Sequence, residues 1–351
     1  MWAVLSHRLV SLLARFQCYL EAFVSIDTRF MFNEEFFGGD GSPIFILIGG
    51  EWAIVAGWLQ GGNMYEMARE NRGYQIYTEH RYYGLTLPYT WRGRTAATRY
   101  TRSIATMDSR CRTHGAGEPR LPDIHGASLL WTHAALHFIG ELRKVPRFAE
   151  SEVVLYGGSY AANMALWFKQ RLCVPLDYDN RFTLGYFSGL ISWTFSTSVQ
   201  QAIPGSLLAV CNNFATTAYA RAWYYQTCTE YGYYQTAPRI GTPFDALEWL
   251  SVEFYVDLCK RIFDERFDEQ FVYDAVERVN NVFGALQPDV NNTINIHGAI
   301  DPWKALGVHD RDLKDSASHC FDMRAWGRTD TIQMTRVQQT ARRIVASWLS
   351  N

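Results

Sequence analysis

Three short strand-like segments, alternating with helical ones, point this chain to an α/β architecture. Pro43 to Ile48 ends in Gly49-Gly50, Tyr74 to Thr78 runs into Glu79-His80-Arg81, and Val153 to Tyr156 ends in Gly157-Gly158. The first is a continuous apolar run bounded by turn residues, which is how a strand buried on both faces of a parallel sheet reads; the second reads as a further strand and the third as a buried one. Between the first two, Gly61 to Asn71 places Met64, Met67 and Ala68 at helical spacing. Strand, helix, strand in that order predicts a parallel crossover unit. The third run leads into a predicted helix over Asn163 to Leu172, and another helix is expected over Leu129 to Leu142. A last strand is predicted at Thr293–Ile296, and a closing helix from about Thr331 to Leu349.

Residues 177–290 read as mostly helical and rich in aromatics, with Trp223-Tyr224-Tyr225 and Tyr231-Gly232-Tyr233-Tyr234 prominent. The expected organisation is therefore one α/β domain built from residues 24–176 and 291–351, interrupted by a helical insertion at 177–290. A chain of 351 residues, 48% hydrophobic and 19% charged, has ample material for such a core and does not read as disordered. Its 33 basic and 35 acidic side chains balance, which argues against a nucleic-acid binder. Seven arginines between Arg92 and Arg120 face only Asp108 and Glu118, and read as a solvated surface insertion.

The start of the chain, Met1 to Phe23, is apolar but broken by His7, Arg8, Arg15 and Glu21. Val10 to Ala14 is short for a secretory leader, so an amphipathic helix or a damaged leader is the expectation there. No window reaches the length of a membrane span. The seven cysteines form no paired C-x-x-C metal pattern, and Asn291-Asn292-Thr293 is a glycosylation acceptor if the chain is secreted.

Chemistry concentrates at Gly157-Gly158-Ser159-Tyr160-Ala161, set between strand and helix. That is the context of a nucleophile elbow, G-x-S-x-G, with Ala161 in the last glycine position. A serine hydroxyl needs a base, and the base needs an orienting acid. In this class of fold the acid precedes the histidine in the chain. Asp301 lies 142 residues after Ser159, just beyond the last predicted strand, and His319 lies 18 residues further on. Each has a bland alternative, since Asp301 before a proline can start a turn and His319 is one of nine histidines. His133 and His137 have zinc-protease spacing, but Ala134 stands where glutamate is needed, so no metal is expected.

Six blocks resemble the serine peptidase family that includes prolylcarboxypeptidase, dipeptidyl peptidase II and thymus-specific serine protease. They are Phe45 to Glu51, Glu79-His80-Arg81-Tyr82-Tyr83-Gly84, Tyr156 to Tyr160, Tyr225 to Gly232, His297 to Trp303, and Ser318-His319-Cys320. The fourth and sixth look most like the thymus-specific branch. The resemblance implies an α/β-hydrolase fold with a helical cap, here shortened, and a catalytic triad of Ser159, Asp301 and His319. It also implies a secreted or lysosomal setting, glycosylation, and a disulfide between Cys228 and Cys259. Peptides are the implied substrates, no cofactor is implied, and a homodimer is compatible with the family.

On this reading His319 takes the Ser159 proton while Asp301 fixes the imidazole tautomer. The Tyr160 N–H and an N–H near Gly50-Glu51 would form the oxyanion hole. Glu51 is placed to contact a substrate amine or to make a structural salt bridge, and Trp303 to pack near the acid loop or line the pocket. Removal of N-terminal dipeptides and removal of a C-terminal residue near proline both remain open. A carboxylesterase or lipase on the same fold, and an inactive binding homologue, are the alternatives.

Overall fold

The computed structural model describes residues 29–80, 82–84, 138–173, 182–184, 218–237, 250–298, 301–308, 320–328 and 330–350. The broken apolar N-terminus, the arginine-rich stretch and His133 and His137 lie outside them, as does most of the segment leading from the serine helix into the aromatic region. The chain divides into two compact units. One holds Met1–Pro88, Thr132–Gln200 and Leu286–Asn351, and the other Tyr89–Trp131 and Gln201–Ala285.

Among the described residues of the first unit five strands form one sheet: β1 (Phe30–Asn33), β2 (Ile44–Ile48), β3 (Tyr74–Thr78), β4 (Val153–Tyr156) and β5 (Phe182–Leu184). Their spatial order is β1-β3-β2-β4-β5. β1 runs antiparallel to β3, and the other neighbours are parallel, with Ile46 opposite both Ile76 and Leu155. Every residue of β2, β3 and β4 is buried, which is why β2 and β4 read as uninterrupted apolar runs; β3 buries the polar Gln75 and Thr78 as well. β1 was not predicted, because its four residues are all half-buried and show no alternation.

Side chains on one face of the sheet, Phe45, Leu47, Tyr77, Val154 and Tyr156, share a core with two helices. These are α1 (Asn63–Glu70), contributing Met64, Met67 and Ala68, and α6 (Ile332–Trp348), contributing Ala341 and Val345. α1 presents the three residues that its spacing predicted. α6 starts where predicted, with the Thr331 hydroxyl capping the Met334 N–H at 3.1 Å. Helix α2 (Tyr160–Cys173) packs against β2, β4 and β5. It begins three residues earlier than the sequence suggested, directly after Ser159.

The strand expected at Thr293–Ile296 is absent: these residues join no sheet among the described residues. The alternation was real, since Ile294 and Ile296 both pack on the sheet core. The segment satisfies its apolar side chains without entering the ladder, and alternation reports only the former.

The second unit contains α3 (Ala218–Gln226), a π-helical turn over Thr227–Tyr231, α4 (Val252–Ile262) and α5 (Glu269–Phe283). Ser251 and Asp268 cap α4 and α5 by accepting from Phe254 N and Phe271 N, and Gly284 closes α5 at φ 79°. The Cys228–Cys259 disulfide implied by the family resemblance is present and ties the π turn to α4. Tyr225 and Phe267 pack around it, and Tyr234 stacks on Tyr255 at 4.7 Å, so the aromatic runs serve as core here. The β5 residues Phe182–Leu184 extend the sheet of the first unit.

Together the strand order, the antiparallel β1 at the edge and the serine on the turn between β4 and α2 are those of an α/β-hydrolase.

Candidate active site

Ser159 stands at φ 57°, a left-handed backbone conformation that is uncommon and strained for a non-glycine residue. The turn is held by Ala161 N donating to Gly158 O at 3.1 Å and Ala162 N donating to Ser159 O at 2.9 Å. A Cβ at Gly157 would overlap the Ala161 carbonyl and lie 2.9 Å from Ala162 N. A Cβ at Gly158 would strike the Met323 sulfur and lie 3.1 Å from Cys320 Sγ. The two glycines before the serine are thus required by backbone on one side and by the 320–323 segment on the other. Ser159 itself is half-buried between buried neighbours.

Ala161 fits without strain. Its methyl would meet a Cβ on Gly50 at 3.7 Å, ordinary contact, so the loop after β2 sits directly against the start of α2. That loop is tightly seated. A Cβ on Gly49 would overlap the Thr78 carbonyl and lie 3.0 Å from His80 N, both backbone atoms of β3's end. Gly49→Ala is therefore expected to destabilise the protein by about 1–3 kcal/mol, read from urea unfolding; an unchanged midpoint would show that β2 and β3 can part there.

Tyr160, the residue after the serine, is buried. Its ring packs edge-on against His80 at 5.6 Å and Trp167 at 6.1 Å. Trp52 donates from Nε1 to the Tyr77 hydroxyl at 2.9 Å, fixing the far side of the β2 loop. Between Gly50 and Trp52, Glu51 is only half-buried as a residue. Its Oε2 is nevertheless shielded from solvent, with no hydrogen-bond partner among the described residues. Burial pushes its carboxyl up to about 7, opposed only by a hydrogen bond from its own backbone.

Asp301 is 1% exposed. One oxygen, Oδ1, accepts from Trp303 N at 3.0 Å and caps the 3-10 turn Pro302–Leu306, so the bland reading of this residue holds as far as that contact goes. The loop is pinned behind it: His297 Nε2 lies 3.1 Å from the Val308 carbonyl, and a Cβ on Gly307 would overlap the His297 ring. Trp303 is half-buried. His319 lies outside the described residues. Its neighbour Cys320, at φ 57°, is described, and its sulfur is among the atoms crowding Gly158. The chain immediately after His319 thus abuts the serine turn. Asn291 is exposed, as a glycan acceptor must be. No helix among the described residues is long and apolar enough to cross a membrane.

Sequence reasoning gave no role to Glu79 of the Glu79-His80-Arg81-Tyr82-Tyr83-Gly84 block. The structure buries its carboxylate completely and pairs it with Arg29 at 2.5 Å. No local signal could have supplied that pairing, which joins residues fifty positions apart.

A family model described as serine carboxypeptidase S28 matches residues 22–107 and 195–341. Asp301 and His319 fall within the matched stretches and Ser159 lies between them. Thymus-specific serine protease of Mus musculus is 32% identical over 138 residues, covering 37% of this chain and 26% of that protein. Lysosomal Pro-X carboxypeptidase of Bos taurus is 24% identical over 148 residues, covering 41% and 24%. The matched part of the chain thus spans about a quarter of the length of these relatives. Among solved structures, a lipase in its open form aligns over 92% of this chain and 95% of its own, at 15% identity and a TM-score of 0.42.

Proposed function

Because the chain belongs to the serine carboxypeptidase S28 family, we propose that it is a serine exopeptidase acting through an acyl-enzyme on Ser159. The observation that carries this is the strained Ser159 at the turn between β4 and α2, with the β2 loop on one side and Cys320 on the other. His319 is the base and Asp301 its orienting acid. Ser159 Oγ attacks the scissile carbonyl as its proton passes to His319, the amine leaves with that proton, and water then hydrolyses the ester by the same route in reverse. The Tyr160 N–H and an N–H of the loop at Gly50-Glu51 receive the developing oxyanion. A helical cap drawn from residues 177–290, less the β5 strand Phe182–Leu184, is part of this reading, as is Trp303 in the wall of the pocket.

Release of N-terminal dipeptides is the mode we favour. A shielded carboxyl with an unused oxygen, on the very loop that carries an oxyanion donor, suits the α-ammonium of a peptide's first residue. Similarity to a Pro-X carboxypeptidase favours the second reading, release of a C-terminal residue after proline. The Cys228–Cys259 disulfide and the exposed Asn291 acceptor support a secreted or lysosomal location.

A fluorophosphonate probe tests the chemistry: the folded protein should take one label, mapped by mass spectrometry to the peptide containing Ser159. Folded protein that stays unlabelled would end the hydrolase reading. Incubation with an unblocked peptide then separates the modes, an intact dipeptide for the first and a single C-terminal amino acid for the second. Turnover of esters alone would mark an esterase.

A further inference from the structure

Ile54 lies four residues beyond Gly50, at the far end of the loop proposed to carry an oxyanion donor. Both of its backbone polar groups are held by one ion pair. Ile54 N donates to Glu79 Oε1 at 3.1 Å, and Ile54 O accepts from Arg29 Nη2 at 3.2 Å. Arg29 and Glu79 are bound to each other through two donors, Nε at 3.2 Å and Nη2 at 2.5 Å. The carboxylate has no exposure, and a Cβ on Gly84, at φ 64°, would overlap it. The left-handed glycine closing the block is thus what lets the carboxylate reach the loop.

Such a clamp is rigid for definite reasons. Charge-assisted hydrogen bonds are about twice as strong as neutral ones, and a guanidinium is planar and pre-organised. The loop is fixed at its start by Gly49, pressed on the backbone of β3, and at Ile54 by Glu79, from the end of that same strand. Only residues 50–53 lie between these anchors. The next residue in the block, His80, packs its ring on Tyr160, which bears the other proposed donor. Two consecutive residues therefore touch the β2 loop and Tyr160, the two elements proposed to supply the oxyanion donors.

We propose that Glu79, held by Arg29, is a positioning residue for catalysis, setting the β2 loop so that its N–H points at the developing oxyanion. It touches no reacting atom. Its effect belongs to the transition state, because a preorganised donor helps most where charge appears during reaction. The proposal rests on Ser159 being the nucleophile.

The test compares Glu79→Gln with wild type. Glutamine keeps an acceptor for Ile54 N but loses the charge that binds Arg29. Active sites are counted by fluorophosphonate titration to completion, and kcat is expressed per titrated site. Losing a donor outright usually costs about 10²–10³ in kcat, so a misplaced donor should cost on the order of 10- to 100-fold, with KM little changed. Affinity for a peptidyl boronate, whose tetrahedral adduct uses the oxyanion hole, should fall in parallel. Arg29→Lys keeps a charge beside Glu79 but breaks the fork to Ile54 O, and should show a smaller loss of the same kind.

A residue that served stability alone would lower the number of titratable sites and leave kcat per site untouched, and that result overturns the proposal. A measurement on wild type needs no variant to fold: the Ile54 amide should exchange slowly with deuterium in the free enzyme, and fast exchange there also overturns it. Absence of labelling in wild type would instead strike the nucleophile assignment, so the two failures are separable.

Discussion

Asp301→Asn is expected to lower kcat about 10⁴-fold while leaving the melting transition where it is. The substitution is chosen because Asp301 has two claims on it. As a cap, its Oδ1 accepts from Trp303 N and starts the turn Pro302–Leu306. An asparagine oxygen can do the same, so the turn should survive. As the acid of a triad, it must also present negative charge to His319, hold the proton on the imidazole nitrogen facing it, and stabilise the imidazolium. An amide supplies no charge and can donate where it should accept, which favours the wrong tautomer. The cap and the triad thus make opposite predictions for one variant. Wild-type kcat in Asp301→Asn would leave Asp301 a cap and nothing more. Ser159→Ala in the same series should remove fluorophosphonate labelling altogether and set the floor.

The sequence exposed this part of the molecule unevenly, for physical reasons. β2 and β4 were readable because burial on both faces favours an unbroken apolar run, and β3 because Tyr74, Ile76 and Tyr77 are strand formers, although it also buries Gln75 and Thr78. The elbow was readable because a φ of 57° at Ser159, in a turn too crowded for any side chain at Gly157 or Gly158, constrains residue type strongly. By contrast β1 lies half-buried at an edge, where composition is less restricted. Thr293–Ile296 carried the alternation of a strand because Ile294 and Ile296 pack inward, yet packing and ladder formation are separate acts. The Arg29–Glu79 clamp was invisible for a third reason. Its three participants are separated by 25 and 50 positions, and only the fold brings them together. The turn that carries Ser159 leaves a local signature, whereas a clamp assembled from distant positions does not.

Glu51→Gln is expected to strengthen the fold and weaken substrate selection at once. Burial raises the Glu51 carboxyl from its ordinary 4.5 to about 7. Between those values the folded chain binds more protons than the unfolded one, so the stability contributed here is present in full below about pH 4.5 and is lost as pH rises through about 7. A shift of that size corresponds to about 3 kcal/mol. Glutamine has no charge to desolvate, so the variant should exceed wild type by roughly that amount at about pH 8 and match it at about pH 4, in urea unfolding. An equal difference at both pH values would mean that ionisation of Glu51 is not the source.

The functional half uses a pair of peptides, one with a free amino terminus and one acetylated. If the Glu51 carboxylate receives the substrate's α-ammonium, the preference in kcat/KM for the free peptide should drop about 10- to 100-fold in Glu51→Gln, the usual worth of a hydrogen bond to a charged group. The preference in wild type should itself grow as pH rises toward about 7, because only the ionised carboxylate attracts the ammonium, and should fade above about 8 as the amine loses its proton. Stabilisation with unchanged preference would reduce Glu51 to a buried acid that touches no substrate. A gain in stability together with a loss of selectivity is the pattern left where a costly charge is kept for binding rather than for folding.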